Sequence, residues 1–348
     1  FFAFSISSSA LVNLEDLQKQ LAQAKTKKDS INALINLSEK YRFTYPDKGL
    51  KLAKRALNIS YTTLDTSLMI RSANKLAILE KENSINTSAL GTVIKSMAWA
   101  NQLKNDTLIA NTKLIAGHIY SNLNNDIEAI TNYKEALHFF KSVNDSDGLS
   151  YTYSGLGIVY YDNSEYDEAL NSYLNAEIYW KDSESSLKAD LWNNIGALYI
   201  EKDDFQNARY YYNKALSFYK AENWSSEISM VYYNLGELYL KENKINRAAE
   251  YFNKSLQIGE EIGSHTEIIW AYQGLYLTYK KDQNNTKSLQ YHELYTNLKD
   301  SIHKLQNNKE VRELEALFHQ EKQLKKIKDQ QLQIVQTEKN VESEKLKN

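Results

Sequence analysis

A repeat of about 40 residues is the feature that most constrains how this 348-residue chain folds. Small residues recur along the sequence at steps of 40, 40, 40, 39, 40 and 40, at the positions Gly49, Ala89, Ala129, Ala169, Ala208, Ala248 and Ser288. A period this regular is typical of tandem structural units that pack mainly against their neighbours. The sequence therefore predicts an array that grows lengthwise.

Each unit carries the pattern of two packed helices, which is clearest in the fifth unit. Trp192, Ile195 and Tyr199 lie three or four residues apart, so they share one face of a first helix. The small residues Gly196 and Ala208 allow the first and second helices to approach each other closely. This pattern predicts a helical hairpin in which large side chains pack over small ones.

The composition also favours helices, because the chain contains one proline and 11 glycines. It contains no cysteine, which excludes disulfides and cysteine-ligated metal sites. The formal net charge of −2 is spread over interspersed acids and bases, so it creates no broad field for nucleic acid. We therefore expect no nucleic-acid partner for this region.

The sequence from about Ser30 to Asp300 resembles the tetratricopeptide repeat family. Its units follow the family pattern of Leu-Gly, Tyr, Ala, an aromatic residue and Ala, most closely between Asn111 and Gly263. The resemblance implies an all-α protein, a right-handed α-solenoid of about seven helical hairpins. It assigns this array to residues 11–300.

Three departures from the family pattern carry structural expectations. The period is near 40 instead of about 34, and no proline closes the units, so we expect helices longer by roughly one and a half turns per unit. Glu80 replaces the tyrosine of the second unit, where we expect irregular geometry. In the seventh unit, Tyr276 replaces the glycine and His292 replaces the aromatic residue.

The first ten residues, FFAFSISSSA, resemble the end of a signal peptide. They predict an extracytoplasmic, periplasmic location, with any membrane anchor outside this chain. The alternatives are a frayed apolar terminus or part of the first packed helix, and these are compatible with a cytoplasmic protein. No other stretch approaches the roughly 18 apolar residues that a membrane span requires.

Residues 301–348 are rich in Gln, Glu and Lys and lack Gly and Pro, so they predict a long charged helix. A sparse heptad pattern with polar residues at several core positions indicates a weak parallel coiled coil, which would join two copies of the chain. The alternative is a single solvated helix.

The sequence predicts no catalytic, cofactor-binding or metal-binding residues, and hence no enzyme. Gly155 and Gly157 lie inside a first helix with no preceding strand, so they do not form a dinucleotide-binding loop. The histidines lack metal-ligand spacing: His118, His138, His265, His292, His303 and His319. The repeated tyrosines are predicted to pack one helix on another: Tyr133, Tyr160, Tyr173, Tyr199, Tyr212, Tyr239 and Tyr279.

The resemblance also implies a groove on the concave side, lined by the first helices. The family's groove positions, transferred unit by unit, give the candidate ligand-binding residues His118, Tyr151, Ser154, Tyr161, Asp190, Asn193, Tyr233, Glu237, Trp270 and Gln273. This mixture of aromatic, amide and single charged side chains suits an extended peptide. The set of lysines and arginine with which some family members clamp a C-terminal carboxylate is missing, which argues against binding of chaperone tails.

The order of an apolar start, a repeat array and a long charged helix resembles bacterial membrane-anchored sensors. We therefore expect a non-enzymatic module that binds a protein or peptide in its groove and transmits a signal through its C-terminal helix. Two alternatives remain open: a free-standing adaptor or scaffold, and a cytoplasmic regulator that binds short signalling peptides.

Overall fold

A computed structural model of the chain describes residues 14–42, 45–180 and 186–304, which form helices joined by short turns with no strand among them. The helices are α1 (Leu14–Ala22), α2 (Lys27–Lys40), α3 (Pro46–Ser60), α4 (Thr66–Glu82), α5 (Asn86–Leu103), α6 (Asp106–Asn122), α7 (Asp126–Ser142), α8 (Ser146–Asp162), α9 (Tyr166–Tyr179), α10 (Ser186–Glu201), α11 (Phe205–Ala221), α12 (Ser225–Lys241), α13 (Ile245–Ile262) and α14 (His265–Lys281). A further helix, α15, covers residues 285–304.

The helices from α2 onward pair in chain order as seven hairpins, which confirms the predicted all-α hairpin repeat. The chain divides into two compact units, Phe1–Asn234 and Leu235–Asn348, and the division falls within α12. The predicted signal remnant at 1–10 and most of the predicted coiled coil at 301–348 lie outside the described residues. The extra length of each repeat lies in the helices, most of which contain 17 or 18 residues.

In the four hairpins from α6–α7 to α12–α13, a large aromatic side chain of the second helix lies over a glycine of the first. All seven of the recurring small residues are buried. A Cβ atom added to Gly157 would lie 2.4 Å from the ring of Tyr173, so no larger residue fits there. The Tyr133 ring touches two glycines in the same way, Gly117 of its own hairpin and Gly155 of the next. Second-helix aromatics therefore join successive hairpins as well as the two helices of one hairpin.

The turns explain how the chain reverses direction without proline. A residue with left-handed backbone lies two positions before the start of helices α4 to α9 and α11 to α15, at Leu64, Ser84, Lys104, Asn124, Asn144, Ser164, Asp203, Asn223, Asn243, Gly263 and Gln283. The next residue is often an Asp or Asn that caps the following helix. For example, the Asp65 carboxylate accepts a hydrogen bond from the Leu68 amide at 3.1 Å. Only one of these turns uses glycine at the left-handed position.

The predicted packing role of the tyrosines is confirmed. Tyr133, Tyr173 and Tyr212 are buried, and the half-buried Tyr199 stacks on Tyr211 with ring centroids 5.8 Å apart. The same stacked pair recurs as Tyr239 with Tyr251 and as Tyr279 with Tyr291. Such first-helix to second-helix pairs fix the hairpin angle while leaving ring edges in water.

The two unusual units keep regular helices. The irregular geometry expected at Glu80 is not present: α4 is continuous through this residue, and its buried carboxylate accepts hydrogen bonds from Ser88 at 2.6 Å and Thr92 at 2.8 Å on α5. In the seventh unit, Tyr276 contacts His292 with ring centroids 4.8 Å apart. The two replaced residues therefore contact each other between α14 and α15.

Candidate ligand-binding surface

The first helices form the inner side of the array in residues 1–234. Helix α2 contacts α4, α4 contacts α6, and α6 contacts α8. The described parts of the second helices α3, α5, α7 and α9 make no comparable contacts with one another. Because first helices lie closer together than second helices, the array curves toward them. We call the surface of α2, α4, α6, α8, α10 and the part of α12 up to Asn234 the inner layer.

Seven of the ten candidate residues belong to the first unit, and they differ in how much surface they offer. His118, Ser154 and Asn193 are buried, and their relative exposure is 3–7 %. Tyr151, Tyr161, Asp190 and Tyr233 are half-buried and present part of their side chains. In the second unit, Glu237 is exposed, whereas Trp270 and Gln273 are half-buried.

His118 packs between α6 and α7. Its Nδ1 atom lies 2.7 Å from the hydroxyl oxygen of Tyr133. Burial lowers the pKa of His118 well below its ordinary value, and the cations Lys81 and Arg42 lower it further. His118 is therefore a neutral side chain at pH 7, next to a region of positive charge.

The half-buried candidates are held in place by second-helix and neighbouring side chains. Tyr219 donates a hydrogen bond to the carboxylate of Asp190, while burial raises the pKa of Asp190 to about 6. The Tyr151 ring meets Trp180 edge to face, at 5.6 Å between centroids. These residues are thus fixed in position on the inner layer.

Asn193 also contacts the next hairpin. Its Oδ1 atom accepts a hydrogen bond from Nδ2 of Asn234 at 2.8 Å. A similar buried link lies near the start of the array, where Asn74 donates to Thr112 at 3.0 Å and accepts from Ser96 at 2.6 Å. Amide groups therefore connect successive hairpins at equivalent levels of the inner layer.

A cluster of charged residues at the first two hairpins was not expected from the sequence. Arg42 is buried and donates hydrogen bonds to the carboxylates of Glu82 and Glu39, the latter at 2.9 Å. Lys75 is also buried and forms an ion pair with Glu39. Burial opposes ionisation of Glu39, but Lys75 and Arg42 outweigh it and lower its pKa. The two carboxylates thus neutralise two of the cations.

Lys81 is the third cation of this cluster. It lies on α4, one repeat before Ser121, and is half-buried. Among the described residues it forms no ion pair or hydrogen bond. Burial lowers the pKa of its ammonium group to about 8, and Arg42 contributes to the shift. The field of Arg42 also reaches Tyr151 on α8. The electrostatic influence of Arg42 and Lys81 therefore reaches side chains as far along the array as α8.

The sequence does contain a pattern that indicates part of this cluster. Arg42 and Glu82 are separated by 40 residues, one full repeat, so equivalent positions of neighbouring hairpins bear opposite charges. The groove positions transferred from the family did not include the second unit. A comparison of charges at one-repeat spacing would have found the pair.

Two further features restrict the chemistry of the described part of the chain. No group of three or more His, Asp or Glu side chains there could hold a metal ion. None of its helices combines the length and apolar character that a membrane span needs.

Comparison with known families agrees with this geometry. One tetratricopeptide repeat model matches residues 148–221, and a second matches residues 110–138 and 231–260. These segments are tetratricopeptide repeats. They include α8 to α11 and parts of the hairpins on either side, the same region in which the glycine and aromatic contacts are regular. No curated protein sequence matches the chain.

Solved structures share the fold of these tetratricopeptide repeats at low sequence identity. The apo form of the quorum sensor NprR from B. thuringiensis is 17% identical, with a TM-score of 0.64, over 82% of this chain and 80% of that one. The Rap conjugation gene regulator of the plasmid pLS20, in complex with the Phr* peptide, is 13% identical, with a TM-score of 0.61, over 87% and 81%. A Rap protein complexed with Competence and Sporulation Factor is 12% identical, with a TM-score of 0.57, over 83% and 91%.

Proposed function

We propose that this chain is a non-enzymatic module that binds a peptide, or an extended segment of a protein, along its inner layer. The observation that carries the proposal is the row of half-buried side chains on successive first helices, Tyr151, Tyr161, Asp190 and Tyr233. Each unit presents a few such groups on a curved surface, so an extended chain can contact several units at once.

The chemistry of these groups suits a peptide. Amides and tyrosine hydroxyls can hydrogen-bond to peptide backbone, and tyrosine rings supply apolar contact area. The structural likeness to a Rap regulator in complex with a peptide supports the same reading.

We further propose that binding is regulatory and that the chain is the input region of a bacterial signal-transduction protein, with α15 and the residues after it as the transmitting element. The extracytoplasmic and membrane-tethered version is a proposal about residues 1–10 and about sequence outside this chain. Mass spectrometry of the mature N-terminus in the native host tests it. An intact N-terminus in the cytosolic fraction would favour the cytoplasmic regulator instead.

A display selection tests peptide binding directly. Random octapeptides are selected on the purified chain, and binding of the enriched peptides is measured by fluorescence anisotropy. We expect binding that weakens in Tyr233→Ala, while Tyr210→Ala, which removes an exposed tyrosine from a second helix, leaves it unchanged. Failure to enrich any peptide, or equal effects of the two substitutions, would refute the proposed groove.

A further inference from the structure

The turn between α3 and α4 exposes an apolar side chain at its tip. Leu64 is 96% exposed and holds a left-handed backbone at φ 57°. This conformation costs free energy for a residue with a bulky side chain. At the equivalent turns after α7, α11 and α13 the residues are Asn144, Asn223 and Gly263, which tolerate it. Leu64 therefore favours neither the turn nor the packing, and its side chain is available to a partner.

Other apolar side chains lie next to this tip. Tyr61 is 46% exposed and meets Trp99 of α5 edge to face, with ring centroids 5.9 Å apart. Leu103, which is also exposed, follows Trp99 by one helical turn, so the two lie on the same face of α5. The ends of α3 and α5 thus present aromatic and leucine side chains to solvent. A group of this kind marks a contact surface more often than a single exposed residue does.

Four cations lie beside these apolar side chains. They line a surface cavity of about 620 Å³, whose walls include Lys27, Lys51, Lys54, Arg55, Ile59 and Thr62. The ammonium group of Lys27 donates a hydrogen bond to the Thr62 carbonyl at 3.3 Å, which holds this cation at the turn. No carboxylate lines the cavity, and none of the four cations forms an ion pair with a described residue. The acids next in sequence, Asp29 and Asp65, accept hydrogen bonds at the starts of α2 and α4.

The three cations that α3 contributes have no equivalent set elsewhere in the array. No other second helix carries more than one Lys or Arg at the same three repeat positions. On α7, for example, these positions hold Thr131, Lys134 and Glu135. The repeat itself therefore does not require this charge, and it occurs beside the one turn that exposes a leucine at the left-handed position.

We infer that this surface docks on an anionic lipid bilayer. We call it the turn patch, and it consists of the four cations of the cavity together with Tyr61, Leu64, Trp99 and Leu103. At a bilayer surface, leucine side chains enter the boundary of the acyl chains, and tyrosine and tryptophan rings lie among the headgroups. Lys and Arg extend their charges to the anionic headgroups. The turn patch contains all three kinds of group.

The shape of the turn patch favours a bilayer over an acidic protein. Leu64 projects from a turn and does not line a groove, so a deformable surface accommodates it without a complementary pocket. The cations lie on two helices, α2 and α3, and a field of headgroups attracts them without fixed partners. Docking through α3 and α5 leaves the inner layer open to a peptide, so the inference is independent of the proposed function. The contact is confined to the bilayer surface, and none of the described helices could span the membrane.

Sedimentation with vesicles provides the first test. The purified chain is mixed with vesicles of phosphatidylcholine alone or with phosphatidylglycerol added, and we expect binding only to the anionic vesicles. Leu64→Asn should weaken this binding about tenfold, because a leucine side chain no longer enters the bilayer, while asparagine suits the backbone of the turn. Lys54→Met should weaken it about fivefold. Lys134→Met removes the exposed cation at the same repeat position of α7, and this control should change binding by less than about twofold.

A fluorescent label locates the contact. Because the chain has no cysteine, Leu64→Cys places an environment-sensitive dye at this turn alone. We expect its emission to shift to shorter wavelength when anionic vesicles are added, since the dye leaves water. The same dye on Asn144→Cys, at the equivalent turn after α7, should not respond.

The substitutions also separate a bilayer from an acidic protein. Binding that is lost in Lys54→Met but unchanged in Leu64→Asn would indicate a contact made by charge alone, and it would overturn docking on a bilayer in favour of an acidic partner. Docking is overturned as well if anionic vesicles bind no protein, if neither substitution weakens binding, or if the dyes at both turns respond equally. Tyr233→Ala, which tests peptide binding, should leave vesicle binding unchanged, so the failure of one proposal is distinguishable from the failure of the other.

Discussion

Replacing Lys81 by Met should make the protein more stable. The charged form of Lys81 is disfavoured in the folded state, because burial and the like charge of Arg42 lower its pKa from 10.5 to about 8. Methionine has a similar length and no charge, so it fills the same space without that penalty.

The size of the effect follows from the pKa. A shift from 10.5 to about 8 corresponds to a penalty of about 3 kcal/mol at pH 7 if the full shift is realised. Lys81 is only half-buried, and water screens part of the penalty. We therefore expect Lys81→Met to raise the free energy of unfolding by about 1–3 kcal/mol at pH 7. Lys95→Met, the exposed control, should change it by less than about 0.5 kcal/mol.

The pH dependence of the free energy of unfolding tests the direction of this effect a second time. Between pH 8 and 10.5 the unfolded chain holds a proton on Lys81 that the folded chain has lost, so the stability of the wild type rises with pH in this window. The advantage of Lys81→Met should be complete below about pH 8 and nearly absent by pH 10.5. Urea unfolding followed by circular dichroism at pH 7, 9 and 10.5 measures the difference. An advantage that is absent at pH 7, or independent of pH, would refute the reasoning.

Three other substitutions, the first with Gly91→Ala as its matched control, test the packing, the turns and the inner layer by urea unfolding. Gly157→Ala should cost about 1–3 kcal/mol because its Cβ would lie 2.4 Å from the Tyr173 ring, whereas Gly91→Ala, where nothing lies within 4 Å, should stabilise by about 0.5–1 kcal/mol through helix propensity. Equal effects would argue against this packing. Leu64→Gly should stabilise by about 0.5–1 kcal/mol, because Leu64 is 96% exposed and holds a left-handed backbone at φ 57°; a loss would show that its side chain matters. Asp190→Asn should stabilise the protein by about 1–2 kcal/mol at pH 7, because the pKa of Asp190 is raised to about 6 and its ionised form is unfavourable in the folded state. At pH 4, where the carboxyl is protonated in the folded state, the substitution should have no effect. A gain of the same size at both pH values would exclude the raised pKa as the cause.

The hairpin repeat was predictable because its determinants are local and periodic. Small residues one repeat apart, with aromatics at fixed offsets, leave few packings other than tandem hairpins. The glycine beneath Tyr212 and the tyrosine pairs follow from the same pattern. Secondary structure, helix length and the buried role of most tyrosines needed no three-dimensional information.

The turns were less predictable because the chain adopts a left-handed backbone with residues that seldom do so. Asn124 and Asn144 fit the known preference of asparagine for this conformation. Leu64, Lys104 and Gln283 do not, and they adopt it because the helices on both sides fix the chain reversal. Tertiary packing therefore overrides local preference at these turns.

The inner layer was only partly predictable for a different reason. The family positions identified Tyr151, Asp190 and Tyr233, since each occupies a groove position of a regular unit. They did not separate the half-buried residues from His118, whose burial depends on its contact with Tyr133. Accessibility depends on the neighbouring helix, which a position within one repeat does not specify.

The charged cluster shows why an array can hold groups that a compact core would exclude. The stability of each hairpin comes mainly from contacts between its first and second helices, such as those of Tyr133, Tyr173 and Tyr212 with glycines. The inner layer contributes less to these contacts, so a residue there can be unfavourable for folding without unfolding the array. Lys81 is such a residue, and the stability gained by Lys81→Met measures the cost of holding its charge in the folded state.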